Sequence, residues 1–410
     1  MEHDHINEEI RPVTLEEALA ALNGSISRIS ETEEADLRAA YGRILAEDIL
    51  AMRDQPPFPK SPLDGYAVRS EDTKGASKEA PVTLKVAAEV AAGNCFDRAI
   101  QRGEAVRIMT GAPIPDGADA IIGQEDTDYG EEHVNIYCEM KPYKNYICRG
   151  NEYKAGDVLL AEGSHIGPSE AGIIAGTGKR SVKVYRKSKV IIISTGDEIV
   201  MPGHELKDSQ IYNSNLFTTE AQLIEWGVDV TSVFHVPDDP KEASAIIESH
   251  IEDVDMIVSI GGVSVGKKDI MHAVYDRLGI ERLFWRVKIK PGMAMMAGTY
   301  DGKLVLSVSG NPYAAFADMQ LITREAVQML SGNDHLGMVS AKAILADAYD
   351  KKSPSRRFIR TCVEDGKAFI KGHTGGNNDI TSGRGINALI DVPAGSDALD
   401  EGDEVTVLFI

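Results

Sequence analysis

Glycine and acidic residues that suit phosphate chemistry are concentrated between residues 194 and 312. The segment Gly261-Gly262-Val263-Ser264-Val265-Gly266 precedes Lys267, which is close to the start of a phosphate-binding P-loop. Glycines let backbone N–H groups approach a phosphate, and a following helix N-terminus adds positive potential. Lys268 stands where a P-loop carries the Ser or Thr that holds Mg²⁺, which disfavours a P-loop NTPase. The alternative is a tight strand-to-helix turn that binds no ligand.

Carboxylates lie on both sides of this glycine loop in the sequence. Asp197 and Glu198 follow an apolar β-branched run, and Asp269 lies just beyond the loop. Carboxylates grouped near a phosphate suit Mg²⁺, a hard cation that prefers oxygen ligands. The sequence therefore predicts a metal site at Asp197, Glu198 and Asp269. The competing interpretation is solvated loop acids, with Asp269 as a helix N-cap.

The overall charge means that any anionic ligand needs a local basic pocket. The formal net charge is −21 at pH 7, which argues against broad binding to nucleic acid or to an anionic membrane. Lys288 and Lys290 alternate along a predicted strand, so they point to one face. With Lys267 and Arg286 they are the cations expected to form the pocket. The alternative is a solvated strand edge.

Alternating strand and helix patterns from Val190 onward are predicted to position these loops. The pattern is typical of a doubly wound α/β sheet with parallel strands and right-handed crossovers. Ligands in such sheets bind at the carboxyl ends of the strands, so the loops there should meet at one edge. The predicted strands are Val190–Ser194, Val228–Phe234, Met256–Ile260, Leu283–Ile289 and Leu304–Val308, with helices from about Asn215, Pro240, Asp269 and Pro312.

The remaining sequence is β-rich apart from its start. A capping box at Thr14 and Glu17 predicts a first helix, and a second is predicted from Glu33 to Ala40. Four modules are predicted. They are a discontinuous N-terminal helical and β module at 1–55 and 141–186, an inserted β-rich domain at 56–140, the α/β domain at 187–332 and a small C-terminal β-barrel-like domain at 333–410.

Several classes of protein are excluded by what the sequence lacks. The sequence contains no run of about 18 apolar residues, so no membrane span is predicted. The first residues have neither the basic start nor the apolar stretch of a signal peptide. The four cysteines form no C-x-x-C pair, so reduced structural thiols are expected. We therefore expect a cytoplasmic protein without nucleic-acid or membrane partners.

Seven segments, taken in order along nearly the whole chain, resemble the molybdopterin molybdenumtransferases, which include the MoeA-type proteins of bacteria and the E domain of gephyrin. No single segment is decisive, but seven in the right order are highly specific. They are Asp64–Val68, Arg107–Pro113, Ser194–Glu198, Gln210–Asn215, Gly261–Gly266, Lys290–Gly292 and Gly310–Pro312.

The resemblance implies an elongated homodimer of four-domain subunits. It implies that adenylylated molybdopterin and molybdate bind near the α/β domain with Mg²⁺, and that molybdate replaces the adenylyl group, releasing AMP and molybdenum cofactor. By position, Asp64, Thr110, Glu198, Asp238 and Asp269 match family residues linked to activity. In that family, the segment matching Asp64 reaches the site from the other subunit. A possible further partner is a pterin-adenylylating enzyme.

Residues of the strand-end loops are predicted to bind the pterin phosphate or the molybdate. They are Thr195, Gly196, Gly261, Gly262, Ser264, Gly266, Lys290, Gly292, Gly310, Asn311 and Pro312. Some positions depart from the family: Met293 and Ala294 replace a common Lys-Pro, and Ser309 replaces a common Pro. A divergent or non-catalytic molybdopterin-binding scaffold is therefore one alternative. A pterin-adenylylating enzyme is another, although such proteins usually consist of the α/β domain alone.

Overall fold

The computed structural model describes residues 11–264, 269–371 and 380–410. Over these residues it contains the following α-helices and strands. The helices are α1 Leu15–Ser25, α2 Pro168–Gly176, α3 Ser214–Glu225, α4 Pro240–His250, α5 Met271–Leu278, α6 Pro312–Asp318 and α7 Arg324–Ser331. The strands are β1 Thr32–Asp36, β2 Ile49–Leu50, β3 Gly65–Val68, β4 Val82–Val90, β5 Glu104–Ile108, β6 Ala120–Gly123, β7 His133–Ile136, β8 Val158–Leu160, β9 Ser181–Tyr185, β10 Lys189–Thr195, β11 Ile199–Val200, β12 Ile211–Tyr212, β13 Asp229–Val236, β14 Met256–Ile260, β15 Glu281–Trp285, β16 Ile289–Lys290, β17 Met296–Tyr300, β18 Lys303–Val308, β19 Ser340–Leu345, β20 Arg356–Glu364, β21 Lys367–Ile370, β22 Ala388–Val392 and β23 Glu404–Phe409. None of the described helices is both long and apolar enough to cross a lipid bilayer.

The chain divides into two compact units, of which unit 1 holds the α/β sheet. Unit 1 comprises the described parts of Met1–Ala46, Gly163–Gly167 and Ser181–Ile410. Its central sheet has the strand order β13-β10-β14-β18-β17-β15. The first four of these strands are parallel, and β17 and β15 join by antiparallel pairings. The parallel strands thus end at one edge, where ligands bind in such sheets.

Helices cover both faces of this sheet. Val190 and Ile192 of β10 pack in one core with apolar residues of α1, α3 and α7. Ile191 and Ile193 pack in a second core with residues of α4 and α5. Because successive side chains of a strand point to opposite faces, a strand buried on both faces needs this continuous apolar run.

The predicted sheet lacks β17, which the structure places between β18 and β15. β17 and β18 form a hairpin whose tip is Asp301-Gly302, with φ values of +51° and +73°. Asp-Gly suits such a tip because positive φ is needed at both central residues. The dipeptide is itself a hairpin signal, so β17 was predictable from the sequence.

The predicted strand Leu283–Ile289 is wrong beyond Trp285. β15 ends there, and Arg286 adopts a left-handed φ of +66° that turns the chain away. The short strand β16 follows and pairs with β20, which lies in a different sheet. The turn at 290–292 therefore does not follow a strand of the α/β sheet, contrary to the prediction.

The helix predicted from Glu33 to Ala40 is also wrong, whereas the capping box at the start of α1 is confirmed. The first part of this segment is β1, which pairs antiparallel with β9. Ala35 is the one buried residue of β1, so the segment has no apolar stripe that a helix could bury. Pairing with β9 outweighs the helix propensity of its Glu and Ala residues.

The C-terminal sheet of unit 1 closes on itself. Strands β20, β21, β19, β23 and β22 pair in this order, and β22 pairs back onto β20. Its interior is an apolar core that includes Leu345, Ile359, Ile390 and Val407. The predicted C-terminal β-barrel-like domain is thus present, and the predicted fold class is confirmed.

Unit 2 comprises Glu47–Glu162 and Pro168–Arg180. Its main sheet has the order β6-β3-β5-β4-β7, and apolar residues are buried on both faces. Every residue of β3 is buried. Gly65 is required at its start because a Cβ atom there would collide with the carbonyl oxygen of Ile122. The boundaries of the four predicted modules stay a prediction.

Candidate functional site

A cavity of about 540 Å³ is lined by the loops at the carboxyl ends of the parallel strands of unit 1. Loops after β10, β14 and β18 meet here, as the sheet topology predicts. Residues leading into α3 complete the wall. The lining residues are 194–196, 198 and 199, 211–215, 238, 260–264, 269, 294 and 309–312.

The structure brings most of the predicted site residues into this lining. They are Thr195, Gly196, Glu198, Asp238, Gly261, Gly262, Ser264, Asp269, Gly310, Asn311 and Pro312. The predicted residues that do not line it are Asp197, Lys290 and Gly292 in unit 1 and Asp64 and Thr110 in unit 2. Gly266 lies outside the described residues, as does Lys267.

The glycine loop packs directly against the end of β10. Gly261 and Gly262 have φ values of +90° and +66°, a conformation that residues with a Cβ rarely adopt. A Cβ atom on Gly261 would lie 3.1 Å from Oγ1 of Thr195, and a Cβ atom on Gly262 would lie 3.3 Å from it. That hydroxyl donates to the carbonyl of Ile260 at 3.4 Å. The two glycines are therefore required both by the backbone turn and by the close approach of Thr195.

The loop after β18 contacts the glycine loop. A Cβ atom on Gly310 would lie 3.3 Å from Cα of Gly261. The amide of Gly261 donates to the carbonyl of Val308 at 3.0 Å. Asn215 Nδ2 donates to the carbonyl of Gly310 at 2.8 Å. These contacts join the two loops and the first turn of α3 into one surface.

A helix begins at this surface with proline in its first turn. Pro312 starts α6, which continues through a π-helical segment at Met319–Thr323 into α7. The first N–H groups of a helix lack partners within it and carry partial positive charge. Asn311 precedes the helix, and its Oδ1 is buried without a hydrogen-bond partner among the described residues. The site thus offers both N–H donors and a side-chain acceptor.

The charge of the lining is acidic. Glu198, Asp238 and Asp269 contribute three carboxylates, and the described lining residues include no lysine or arginine. The predicted basic pocket is therefore not formed by Lys288, Lys290 and Arg286. Both lysines are exposed on the segment that leaves the α/β sheet, and the Arg286 guanidinium stacks on Trp285 at 4.5 Å.

The donor set suits Mg²⁺ that binds together with a phosphate. Within 11–264, 269–371 and 380–410, no three His, Cys, Asp or Glu side chains form a ready metal cluster. Asp197 Oδ1 instead accepts the N–H of Asp238 at 3.2 Å. Mg²⁺ often binds one or two carboxylates plus substrate phosphates and water. Glu198 and Asp269 fit that arrangement because both line the cavity beside the glycine loop.

Two family models match this chain. Residues 13–178 match the MoeA N-terminal region (domain I and II), and residues 191–329 match the probable molybdopterin binding domain. The molybdopterin molybdenumtransferase of Staphylococcus epidermidis RP62A is 33% identical over 405 residues, covering 98% of this chain and 96% of that protein. The one from Bacillus subtilis 168 is 33% identical over 410 residues, covering 98% and 95%. The chain belongs to the molybdopterin molybdenumtransferase family.

The fold of this molybdopterin molybdenumtransferase family member agrees with a solved structure. The crystal structure of the molybdopterin biosynthesis moeA protein from Pyrococcus horikoshii OT3 has 30% sequence identity and a TM-score of 0.83. The match covers 98% of this chain and 100% of that one. The family predicted from seven ordered segments is confirmed, and it is a family of enzymes of molybdenum cofactor biosynthesis.

Asp64 and Thr110, the predicted site residues in unit 2, form a hydrogen-bonded pair. Asp64 Oδ1 accepts from both the amide and the hydroxyl of Thr110, each at 2.7 Å. The amide, followed by the hydroxyl, holds the pKa of Asp64 below its usual value. Antiparallel pairing of β3 with β5 brings the two together, since Gly65 lies opposite Ile108. Asp64 is thus ionised at neutral pH.

Some lining residues were not among the predicted site residues. Asn213 Nδ2 donates to Ser194 Oγ at 2.9 Å, and Asn213 Oδ1 accepts the amide of Leu216 at 3.2 Å. Asn213 thereby caps α3 and fixes it to the end of β10. The signal was present, because Asn is favoured at helix N-caps and precedes the predicted helix.

Proposed function

We propose that this protein inserts molybdate into adenylylated molybdopterin and releases AMP in a Mg²⁺-dependent reaction, leaving molybdenum cofactor. The observation that carries the proposal is the cavity at the edge of the α/β sheet. There, two glycine-containing loops and a helix N-terminus stand beside three carboxylates. Membership of the family supports a pterin as the ligand.

The glycine loop and the loop before α6 are proposed to hold the phosphate. Backbone N–H groups of 262–264 and of Gly310 can approach a ligand closely because glycine occupies the contact points. The start of α6 adds positive potential, as helix N-termini do at many phosphate sites. The cavity volume of about 540 Å³ lies in the range of roughly 300–1,000 Å³ typical of small-molecule sites.

Glu198 and Asp269 are proposed to hold Mg²⁺, and Asp197 remains a predicted ligand that lies outside the lining. Bound Mg²⁺ would neutralise charge on the phosphate oxygens during cleavage of the phosphoanhydride. The acidic lining makes such a cation necessary, since three carboxylates repel an anionic ligand. Asp238, whose N–H donates to Asp197 at 3.2 Å, is proposed to orient the water that hydrolyses the phosphoanhydride.

Molybdate is proposed to bind at the turn that contains Lys290 and Gly292. Lys290 is an exposed cation, and Gly292 has a φ of +99° that a residue with a side chain rarely adopts. Lys290 would supply positive charge for the oxyanion at this turn. Met293 leaves this turn with one cation fewer than is common in the family.

We further propose that the protein acts as a homodimer in the cytoplasm. The pair Asp64–Thr110 of one subunit would serve the cavity of the other, where ionised Asp64 accepts a hydrogen bond from the substrate. Cys95, Cys138, Cys148 and Cys362 are all free thiols, which suits a reducing compartment. Direct contact with a pterin-adenylylating enzyme would deliver the substrate.

The test is release of AMP from adenylylated molybdopterin by the purified protein. AMP should appear only when Mg²⁺ and molybdate are both present. Glu198→Gln and Asp269→Asn should each lower the rate by about 100-fold or more, since each removes charge from the metal site. Glu248→Gln, an exposed position on α4, is the matched control and should keep the wild-type rate.

The same assay separates the alternatives. Binding of the pterin without AMP release would favour a non-catalytic scaffold. Consumption of ATP would favour a pterin-adenylylating enzyme or an NTPase. Full activity of Glu198→Gln and Asp269→Asn would show that the two carboxylates do not form the metal site.

A further inference from the structure

Asp318 is a completely buried acid at the end of α6. Its Oδ2 accepts the amide N–H of Ser309, a lining residue of the cavity, at 3.0 Å. Its Oδ1 is also buried and has no hydrogen-bond partner in the described part of the chain. A carboxyl group in such a place requires an explanation, since buried polar atoms are nearly always paired.

Asp318 contacts a second functional segment through the unpaired oxygen. A Cβ atom on Gly292 would collide with Oδ1 of Asp318 and would lie 3.2 Å from Cδ1 of Ile289. The acid therefore fills the space beside the turn at 290–292. One side chain thus touches both the loop at 309–312 and the turn at 290–292, which come from different sheets.

The surroundings of Asp318 disfavour a charged carboxylate. Burial raises its pKa well above the usual value, and the single N–H of Ser309 only opposes this. None of the described ion pairs or side-chain hydrogen bonds joins Asp318 to a charged side chain of the adjoining segments. Lys288 and Lys290 are exposed, Arg360 of β20 stacks on Tyr313 at 3.9 Å, and Arg324 beyond the π-helical segment donates to Gln320 at 3.2 Å.

We propose that Asp318 is a positioning residue for the cavity, and that it acts as a neutral carboxylic acid joining the loop at 309–312 to the turn at 290–292. The inference rests on the proposed function, in which these two segments hold the pterin phosphate and the molybdate. The neutral acid accepts the Ser309 N–H and fills the gap at Gly292 without placing a negative charge beneath an anion site. The relative position of the two anion-binding segments thus depends on one side chain.

The first test compares Asp318→Asn with Asp318→Leu. Asn keeps an acceptor for the Ser309 N–H and cannot ionise, whereas Leu keeps the volume and removes the acceptor. Calorimetric titration with AMP plus Mg²⁺, and separately with molybdate, is the readout. Asp318→Asn should bind each probe within about 2-fold of wild type, and Asp318→Leu should bind AMP about 10-fold more weakly because a buried N–H loses its acceptor.

The second test is the pH dependence of thermal unfolding. Because the pKa of Asp318 is raised in the folded protein, the native state keeps a proton that the unfolded state loses above about pH 4. Wild type therefore loses stability as the pH rises from about 4 to the pKa of Asp318 in the folded state. Asp318→Asn lacks this loss. Its melting temperature should exceed that of wild type at neutral pH, and the difference should shrink towards pH 4.

Asp255 provides the matched control, because it is a buried acid with a cationic partner. Burial alone would raise its pKa, but hydrogen bonds from Arg186 and from the Lys189 amide outweigh this and lower it. Stability from Asp255 is therefore present at neutral pH and lost as pH falls through the lowered pKa. Asp255→Asn should lower the melting temperature at neutral pH, opposite to Asp318→Asn.

Three results would overturn the proposal. One is an Asp318→Asn protein that is less stable than wild type at neutral pH, which would mean that the carboxylate is ionised. Another is AMP binding by Asp318→Leu at wild-type affinity, which would remove the positioning role. Failure of wild type to bind either probe would overturn the proposed function and the positioning role together, while the unfolding curves would still decide the protonation state.

Discussion

Tyr212 is the one aromatic residue among the described lining residues of the cavity. Its hydroxyl donates to the carbonyl of His204 at 3.0 Å, which restrains the ring at the cavity wall. The side chain is 46% exposed, so a ring face is available to a ligand. Adenine and pterin rings stack favourably on aromatic side chains. Tyr212 is therefore placed to bind the ring part of the proposed substrate.

Tyr212→Ala should weaken AMP binding by about 10-fold, because stacking on an aromatic side chain contributes about 1–3 kcal/mol per base. Tyr212→Phe keeps the ring and should bind AMP within about 2-fold of wild type. Titration with molybdate is the control, since an oxyanion has no ring to stack. Equal loss of AMP and molybdate affinity in Tyr212→Ala would argue for a general disturbance of the wall instead.

The sequence predicted the individual glycines and acids of the cavity but not the net charge of its lining. Glu198 and Asp269 adjoin strand and helix patterns that are local in sequence, so their place at the sheet edge followed from periodicity. Whether Lys290 lines the cavity depends on the path of the chain after Trp285. That path is set by the left-handed conformation of Arg286, which no local pattern indicates.

Gly262, in the glycine loop, and Gly279, at the end of a helix, share a left-handed φ but have different surroundings. Comparing them separates the effect of a left-handed φ from the effect of close neighbours. Their φ values are +66° and +68°. Gly279 ends α5, and a Cβ atom there would have nothing within 4 Å, whereas a Cβ on Gly262 would lie 3.3 Å from Ile270 and Thr195. The two positions thus share a backbone strain but differ in their neighbours.

Gly279→Ala and Gly262→Ala should each destabilise the protein by about 1–2 kcal/mol, the cost of a left-handed conformation for a residue with a Cβ. Gly262→Ala should in addition lose AMP affinity, because it displaces the loop from Thr195. Thermal unfolding and AMP titration measure the two effects. Unchanged AMP binding in Gly262→Ala would show that the glycine loop is not the phosphate site.

The strands β10, β14 and β18 of the parallel sheet were predictable because each is a short apolar run bounded by turn residues. The bounds of β14 match the predicted Met256–Ile260. β1 and β16 were not predictable in this way. β1 has only one buried residue and β16 has only two residues, and each is defined by pairing with a strand that is distant in sequence, β9 and β20 respectively. Local propensity says nothing about such partners.

At the scale of the whole molecule, a shared site predicts complementation between two inactive variants. Asp64→Ala and Glu198→Gln should each be inactive alone. In a mixed dimer, one cavity would combine an intact Glu198 with the intact Asp64 of the other subunit. Random assembly of equal amounts should therefore restore about one quarter of the wild-type AMP release, since half of the dimers are mixed and each has one intact site.

Co-expression of the two variants with different affinity tags gives the mixed dimer for this measurement. Each variant expressed alone is the control. No activity in the purified mixed dimer would mean that both residues act within one subunit. Wild-type activity of Asp64→Ala expressed alone would mean that Asp64 is not required. Sedimentation of the wild-type chain as a monomer would contradict the homodimer directly.

The order of motifs carried more information about the whole molecule than composition did. Seven short segments spread over the chain identified the family, because their order reflects a complete fold. The net charge of −21 predicts that an anionic ligand needs local positive potential, but it does not indicate which residues supply that potential. Net charge describes the average field of a protein and not the lining of one cavity.

β10 is held by both cores and is paired with β13 on one side and β14 on the other. The amides of Ile191, Ile192 and Ile193 reach solvent only when both cores open together. Hydrogen exchange at these amides should therefore proceed through global unfolding and be among the slowest in unit 1. Their exchange rates would report the free energy of unfolding of the scaffold from which the cavity loops extend.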